Sequence, residues 1–134
     1  MRSRRGAFSQ AGPDRRAPRT TESRPHMASY LLIESRDPFD HGGVANDYDM
    51  ATALADAGHE VTLFLVQNGV LPARKQVPAN PLGRVLGARV QVLADDFSLR
   101  ERGIRPADLA QGVQPASLEV AVDQLAEGRK AVWL

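Results

Sequence analysis

Cysteine is absent from all 134 residues, which excludes a disulfide framework, a thiolate nucleophile and any cysteine-based metal site. Long apolar runs are missing too. None approaches the roughly 20 residues that a helix needs to span a bilayer, so a soluble protein with no membrane association is expected. Residues 27–134 contain no internal repeat and no low-complexity segment. They also lack an excess of positive charge: ten Lys and Arg stand against fourteen Asp and Glu, a net −4, which argues against a nucleic-acid-binding surface there. With 43% hydrophobic residues, the length suits one globular domain.

Residues 1–26 differ in kind. Seven arginines against Asp14 and Glu22 leave them at +5, with much Ser, Gly and Pro and no apolar periodicity. Such a stretch buries too little apolar surface to offset its ordering entropy, so it reads as a disordered, Arg-rich extension. A secretory signal fails because no apolar core follows the basic start. An organelle transit peptide fits the arginines but not the missing amphipathic pattern, and an anionic-surface arm rests on charge alone. The preferred reading takes Met27 as the natural start, because the first strand begins almost immediately after it. Residues 27–134 are then the folded α/β domain.

The pattern of that domain alternates. Ser29–Glu34 is a short apolar run consistent with a buried strand. After the loop 35–43, Val44, Tyr48, Ala51 and Ala55 share one helical stripe with Leu54 beside them, while Asp47, Asp49 and Asp56 turn away. Gly58 ends the helix, and Val61–Val66 is the clearest strand of the chain. Strand, helix and strand within about 40 residues is the size of a right-handed βαβ crossover. Pro72, Pro78 and Pro81 break the next region, where Asn80 and Pro81 open a short helix to Gly87. Arg89–Leu93 reads as a third strand, 95–102 as a helical turn or two stopped by Gly103, and 104–115 as loop. Residues 115–126 read as a helix with a core-facing stripe of Leu118, Val122 and Leu125, and Lys130–Leu134 as a last strand. The sum is a three-layer α/β/α sandwich on a mostly parallel sheet of four to five strands.

The order of these elements and several junctions resemble the DsrE/DsrF/TusD family of small sulfur-relay proteins over essentially all of 28–134. Ala55-Asp56-Ala57-Gly58-His59-Glu60-Val61 is similar to that family's passage from helix to second strand. Asn68-Gly69-Val70 stands where members often have Asp-Gly-Val, and Arg102-Gly103-Ile104 matches the step that closes the family's active segment. The resemblance implies a cytoplasmic protein assembled as a trimer or hexamer, alone or with other DsrE-like subunits. It also implies a persulfide-bearing cysteine near Asp95, with Asp96 to Ser98 as slack in the alignment. A carboxylate has no thiolate chemistry, and Ser98 is scarcely nucleophilic without an adjacent base, so sulfur transfer through this position is excluded. The expected role is therefore that of a cysteine-free, non-catalytic subunit or oligomeric binding protein linked to intracellular sulfur transfer and sulfur reduction.

Ligands of parallel α/β sheets bind outside the carboxyl ends of the strands. Loops beginning at Ser35, Gln67 and Ala94 should converge there, making Asp37, His41, Asn68, Asp95, Asp96 and Ser98 the ligand candidates. His41 with Asp37 or Asp40 would make a base and its orienting carboxylate; with Asp95 and Asp96 it would offer metal ligands. This is the alternative function, a small-molecule, anion or metal-binding enzyme. The plainer reading, an exposed loop histidine and helix-capping aspartates, is preferred, and no metal is expected. Gly42 and Gly43 before a helix can present amides to an anion, but they lack the spacing of a phosphate or dinucleotide loop, and no cofactor is expected. Asp96 with Arg100 and Glu101 with Arg105 are spaced for helical pairs. Phe39 and Phe97, with Arg100 and Arg102, are the interface candidates, and Trp133 is read as core or interface.

Overall fold

A computed structural model describes residues 27–134; the expectation of disorder for 1–26 lies outside the described residues. Five strands form one sheet in the order β4-β3-β2-β1-β5, and every pairing is parallel. They are β1 (Ser29–Glu34), β2 (Glu60–Leu65), β3 (Val90–Asp95), β4 (Val113–Ala116) and β5 (Lys130–Trp133). The helices are α1 (Val44–Asp56), α2 (Leu82–Leu86), α3 (Asp96–Glu101) and α4 (Leu118–Ala126). The α/β sandwich expected from the sequence is the fold observed.

The topology follows from the handedness of crossovers. Strands β1 to β4 are laid down in one direction, so right-handed connections carry α1 and α2 over one face of the sheet. The chain then reverses and places β5 on the other side of β1, which puts α4 on the opposite face. Alternation along the strands serves both layers. Leu32, Leu63, Leu65, Val92 and Ala94 pack with Val44, Tyr48, Ala51 and Ala55 of α1 and with Leu82 and Val85 of α2. Leu31, Phe64 and Leu93 face the other way and meet Ala121 of α4. Each such buried Leu or Phe side chain stabilises the fold by about 1.5–3 kcal/mol. The α1 stripe therefore lies where its periodicity places it, and Gly58, at φ +96°, ends that helix in a conformation few side chains tolerate.

Three expectations need correction. Residues 113–116, read as loop and helix start, are the edge strand β4. It is only four residues long, and Pro115 removes an amide that an edge strand can spare. The last helix accordingly starts at Leu118. Its stripe is not core: Leu118, Val122 and Leu125 are 62%, 57% and 46% exposed, while Ala121 and Gln124 are buried. Ala121 meets the apolar sheet face, but polar groups lie beneath Gln124, which donates to Gln91 at 3.4 Å, and Thr62 donates to Gln91 at 2.9 Å. The more apolar side of this helix is thus the side turned to solvent. Trp133, read as core or interface, is 66% exposed on β5, which removes only the core half of that reading. Among the described residues no helix is long and apolar enough to cross a membrane.

Candidate functional site at the carboxyl edge of the sheet

The strand order reverses at β1, so the crevice available to a ligand in this kind of sheet lies outside the carboxyl end of β1. Strand β1 ends there in Glu34, whose side chain is fully buried. Its Oε2 accepts hydrogen bonds from the Arg36 amide at 3.0 Å and from Arg36 Nε at 3.3 Å. Arg36 reaches on with Nη2 to Asp47 Oδ2 at 2.9 Å, bridging the strand end to the first turn of α1. Burial pushes the Glu34 carboxyl above the usual carboxylate range, the neighbouring Asp47 carboxyl adds to the rise, and Arg36 offsets part of it. Next along α1, Tyr48 is fully buried, and its hydroxyl has no partner among the described residues. Burial, and then the charges of Glu34, Asp37 and Asp47, push that phenol upward, so it stays neutral. Glu34 Oε1 is likewise buried without a partner among the described residues.

Asp37 is buried, but its role is local. Its Oδ1 accepts from the Phe39 amide at 3.1 Å, and its carbonyl accepts from the amides of Asp40 and His41 at 3.1 Å each. This is the self-bonded turn that Asp forms readily. The His41 imidazole is exposed at the tip and makes no hydrogen bond to the Asp37 or Asp40 carboxylate among the described residues, so the base and orienting carboxylate are not assembled. Gly42 and Gly43 are exposed with open space where a side chain would stand. They form the turn into α1 without a side-chain cap.

The position where the family resemblance leads one to expect a cysteine is the junction of β3 and α3. Asp95 is the last residue of β3 and caps α3, accepting from the Ser98 amide at 3.0 Å and from the Ser98 hydroxyl at 2.6 Å. Ser98 Oγ in turn accepts from the Gln67 amide at 2.8 Å. The hydroxyl is therefore engaged both as donor and as acceptor, and it is buried. An acidic cap bonded to a serine and a backbone amide offers no nucleophile to a sulfur atom. Asp96 lies on the outside of α3 and pairs with Arg100 at 3.7 Å, as expected. The second pair differs: Arg105 engages Asp108 at 2.9 Å instead of Glu101. Helix α3 ends at Glu101 and Gly103 turns the chain at φ +67°, so Arg105 is out of helical register with Glu101.

Asn68 is held by Arg102, whose Nε and Nη2 donate to Asn68 Oδ1 at 3.1 and 3.0 Å. Arg102 Nη1 also donates to the Ser98 carbonyl at 3.2 Å. Between the ends of β1 and β2, Gly69 lies so close to the Glu34 carbonyl that a Cβ would overlap it. The three loops do converge, but the candidates separate by job: Asp95, Ser98, Asn68 and Arg102 hold loops together, whereas Asp96, Arg100, His41 and Phe39 face outward. Phe97 is the second residue of α3 and is exposed like Phe39. Among the described residues no group of three or more His, Asp or Glu is arranged to hold a metal ion. The group that sequence reasoning missed is Glu34 with Tyr48 and Asp47. The one available signal was a lone acidic residue closing an otherwise apolar strand.

A parallel five-stranded sheet with helices on both faces, reversing at β1 and carrying its polar groups beyond the carboxyl strand ends, defines a small open-sheet α/β protein of the doubly wound class. Its sequence matches the model of the DsrE/DsrF-like family across residues 28–134, and the chain belongs to that family. No curated protein matches it. Among solved structures it is similar to the ychN protein from E. coli, with a TM-score of 0.69 and 24% identity, over 81% of this chain and 100% of that one. It is also similar to a protein of unknown function, MTH1491 from Methanobacterium thermoautotrophicum, with a TM-score of 0.65 and 18% identity, over 81% of this chain and 99% of that one. At such identities these likenesses concern the fold.

Proposed function

We propose that this protein works by association, as a cysteine-free, non-catalytic subunit of an oligomeric DsrE-type assembly in intracellular sulfur transfer or sulfur reduction. The observation that carries the reading is the inverted helix α4. Its exposed stripe of Leu118, Val122 and Leu125 faces solvent while Gln124 is buried beneath, and the exposed Trp133 stands on the neighbouring edge strand. A sheet edge with exposed aromatic and aliphatic groups is the kind of surface that a second chain covers. The occupant is a second subunit of the same fold, in the first instance another copy of this chain in a trimer or hexamer. The Asp95–Ser98 junction fits a supporting role, since it holds its loop without offering a thiol.

Native mass spectrometry of the full chain recovered from its own cell extract tests this. A homo-oligomer, or a complex with a cysteine-bearing DsrE-like chain, is expected. Leu118→Asp combined with Val122→Asp should reduce the complex to monomer with an unchanged circular dichroism spectrum. A monomer in the extract, or an oligomer indifferent to both substitutions, removes the proposal. The alternative of a site built from Asp95, Asp96 and His41 is not favoured, because Asp95 is committed to capping and Asp96 to Arg100.

A further inference from the structure

A cleft of about 430 Å³ opens between the segment after β2 and the end of α3. Leu71, Arg74, Lys75, Arg102, Ile104 and Asp108 line it. Three cations on one concavity stand out on a domain whose net charge is −4. Of the three, Arg102 alone has an ion pair among the described residues, a long one of 3.9 Å to Glu101. Arg74 Nε donates to the Leu71 carbonyl at 2.8 Å, which fixes the guanidinium while its terminal amino groups have no partner among the described residues. The Lys75 ammonium pairs with no carboxylate among the described residues, although its amide is anchored to the Asp108 carbonyl at 2.8 Å.

Asp108 is the one acidic group in the lining, and it is already taken. Arg105 holds it through Nε at 3.1 Å, Nη2 at 2.9 Å and its backbone amide at 2.9 Å. That grip, with a smaller contribution from the nearby Lys75 charge, lowers its carboxyl to about 2, so Asp108 is engaged chiefly by Arg105 and offsets Lys75 only in part. Arg102 is fixed in turn by Asn68 and the Ser98 carbonyl.

The wall is also built to a shape. Gln76 lines the cleft at φ +60°, a left-handed conformation that a side-chain-bearing residue keeps only where its surroundings impose it. The surroundings do so here: Ala110 donates to the Ala73 carbonyl at 2.8 Å, and Arg74 bridges to Leu109 across the cleft floor. Strained backbone, cations pinned by neighbouring carbonyls and a floor of Leu71 and Ile104 together resemble a small-molecule pocket, and the volume lies within the range such pockets span.

We infer that this cleft binds a small molecule through a phosphate-type oxyanion, with Arg74 and Lys75 on the anionic oxygens, Arg102 supplying field from behind, and Leu71 and Ile104 against the organic part. The shared chemistry is a multiply charged oxyanion, whether free phosphate or a phosphoryl group carried by a small sugar.

The test is a titration of the full chain followed by amide chemical shifts, with inorganic phosphate in one arm and ribose 5-phosphate in the other, at constant ionic strength. Saturable shifts at Arg74, Lys75, Gln76, Gly103 and Ile104 are expected. Tighter binding of ribose 5-phosphate identifies a phosphorylated small molecule as the ligand, and equal binding identifies the free oxyanion. Lys75→Gln should weaken either by about tenfold, the usual loss for one charge-assisted hydrogen bond, as should Arg74→Gln. The Lys75 side chain has no hydrogen-bond partner among the described residues, so its substitution keeps the test valid even if the Arg74 variant misfolds. Arg84→Gln, at a cation paired with Asp49 across 3.1 Å away from this cleft, should change nothing. Shifts that never saturate, shifts confined to the arginines of residues 1–26, or binding unchanged in the Lys75 variant would overturn the inference.

Discussion

The hydroxyl of Ser98 donates to the Asp95 carboxylate across 2.6 Å, at the position where the family resemblance places a sulfur-carrying cysteine. Three hydrogen bonds close on one another there, because Asp95 also receives the Ser98 amide and Ser98 Oγ receives the Gln67 amide. What would be a reactive loop is thereby made into a joint. Ser98→Ala should destabilise the protein by about 1 kcal/mol through the orphaned Gln67 amide, and Asp95→Ala by about 1 kcal/mol through loss of the helix cap. Because the two groups share partners, the double variant should cost less than the sum of the singles. Urea midpoints of the three variants measure this.

Glu34 gives stability a pH dependence. Burial raises its carboxyl above the unfolded value near 4.5, so the native state holds the proton more tightly than the unfolded chain does. Its contribution is therefore complete below about pH 4.5 and falls as the pH rises through the native value. Glu34→Gln mimics the neutral acid and should remove that decline. The variant is expected to match or exceed the parent in melting temperature at pH 8, and the difference should shrink toward pH 4.5. A variant that loses stability specifically at pH 8 would show that ionised Glu34, held by Arg36, is the favoured form.

Tyr48→Phe is expected to be neutral or stabilising. The hydroxyl lies fully buried with no partner among the described residues, and an unpaired buried polar group costs free energy that phenylalanine does not. Thermal melts of the variant at pH 7 give the answer directly; a loss above about 1 kcal/mol would mean that the hydroxyl has a partner in solution.

Gly69→Ala should cost about 1–3 kcal/mol or more, because the added methyl group must displace the Glu34 carbonyl, which is backbone and cannot swing aside. Gly42→Ala is the control. Open space surrounds that position, so the change should stay within about 0.5 kcal/mol. Chemical unfolding of the pair separates a packing requirement from a general intolerance of side chains in this edge.

Local chemistry made much of the fold readable in the sequence. The α1 stripe of Val44, Tyr48, Ala51 and Ala55 is buried where its spacing puts it, and Asn80 accepts from the Leu82 amide at 3.1 Å as the opening residue of α2. Periodicity reports that a helix has an apolar side, not what covers that side, which is why Leu118, Val122 and Leu125 read as core and are exposed. The short β4 escaped because Val113 is its only buried residue and Pro115 looks like a loop marker. Of the candidate site, Asp95 and Ser98 were legible as a helix start, whereas Glu34 was hidden by its place at the end of an apolar strand. Only the reversal of strand order, a property of the whole chain, makes that end a crevice.

Gly69 against Glu34 has a mechanical consequence. The Val66 amide donates to the Glu34 carbonyl at 3.0 Å, Gln67 is fastened to Ser98, and Asn68 to Arg102, so the ends of β1, β2 and β3 are riveted into a single block. Such a block has no hinge. Whatever lands on this rim meets a finished mould instead of a closing jaw, so recognition here is decided by shape at first contact, and little ordering entropy is lost on arrival.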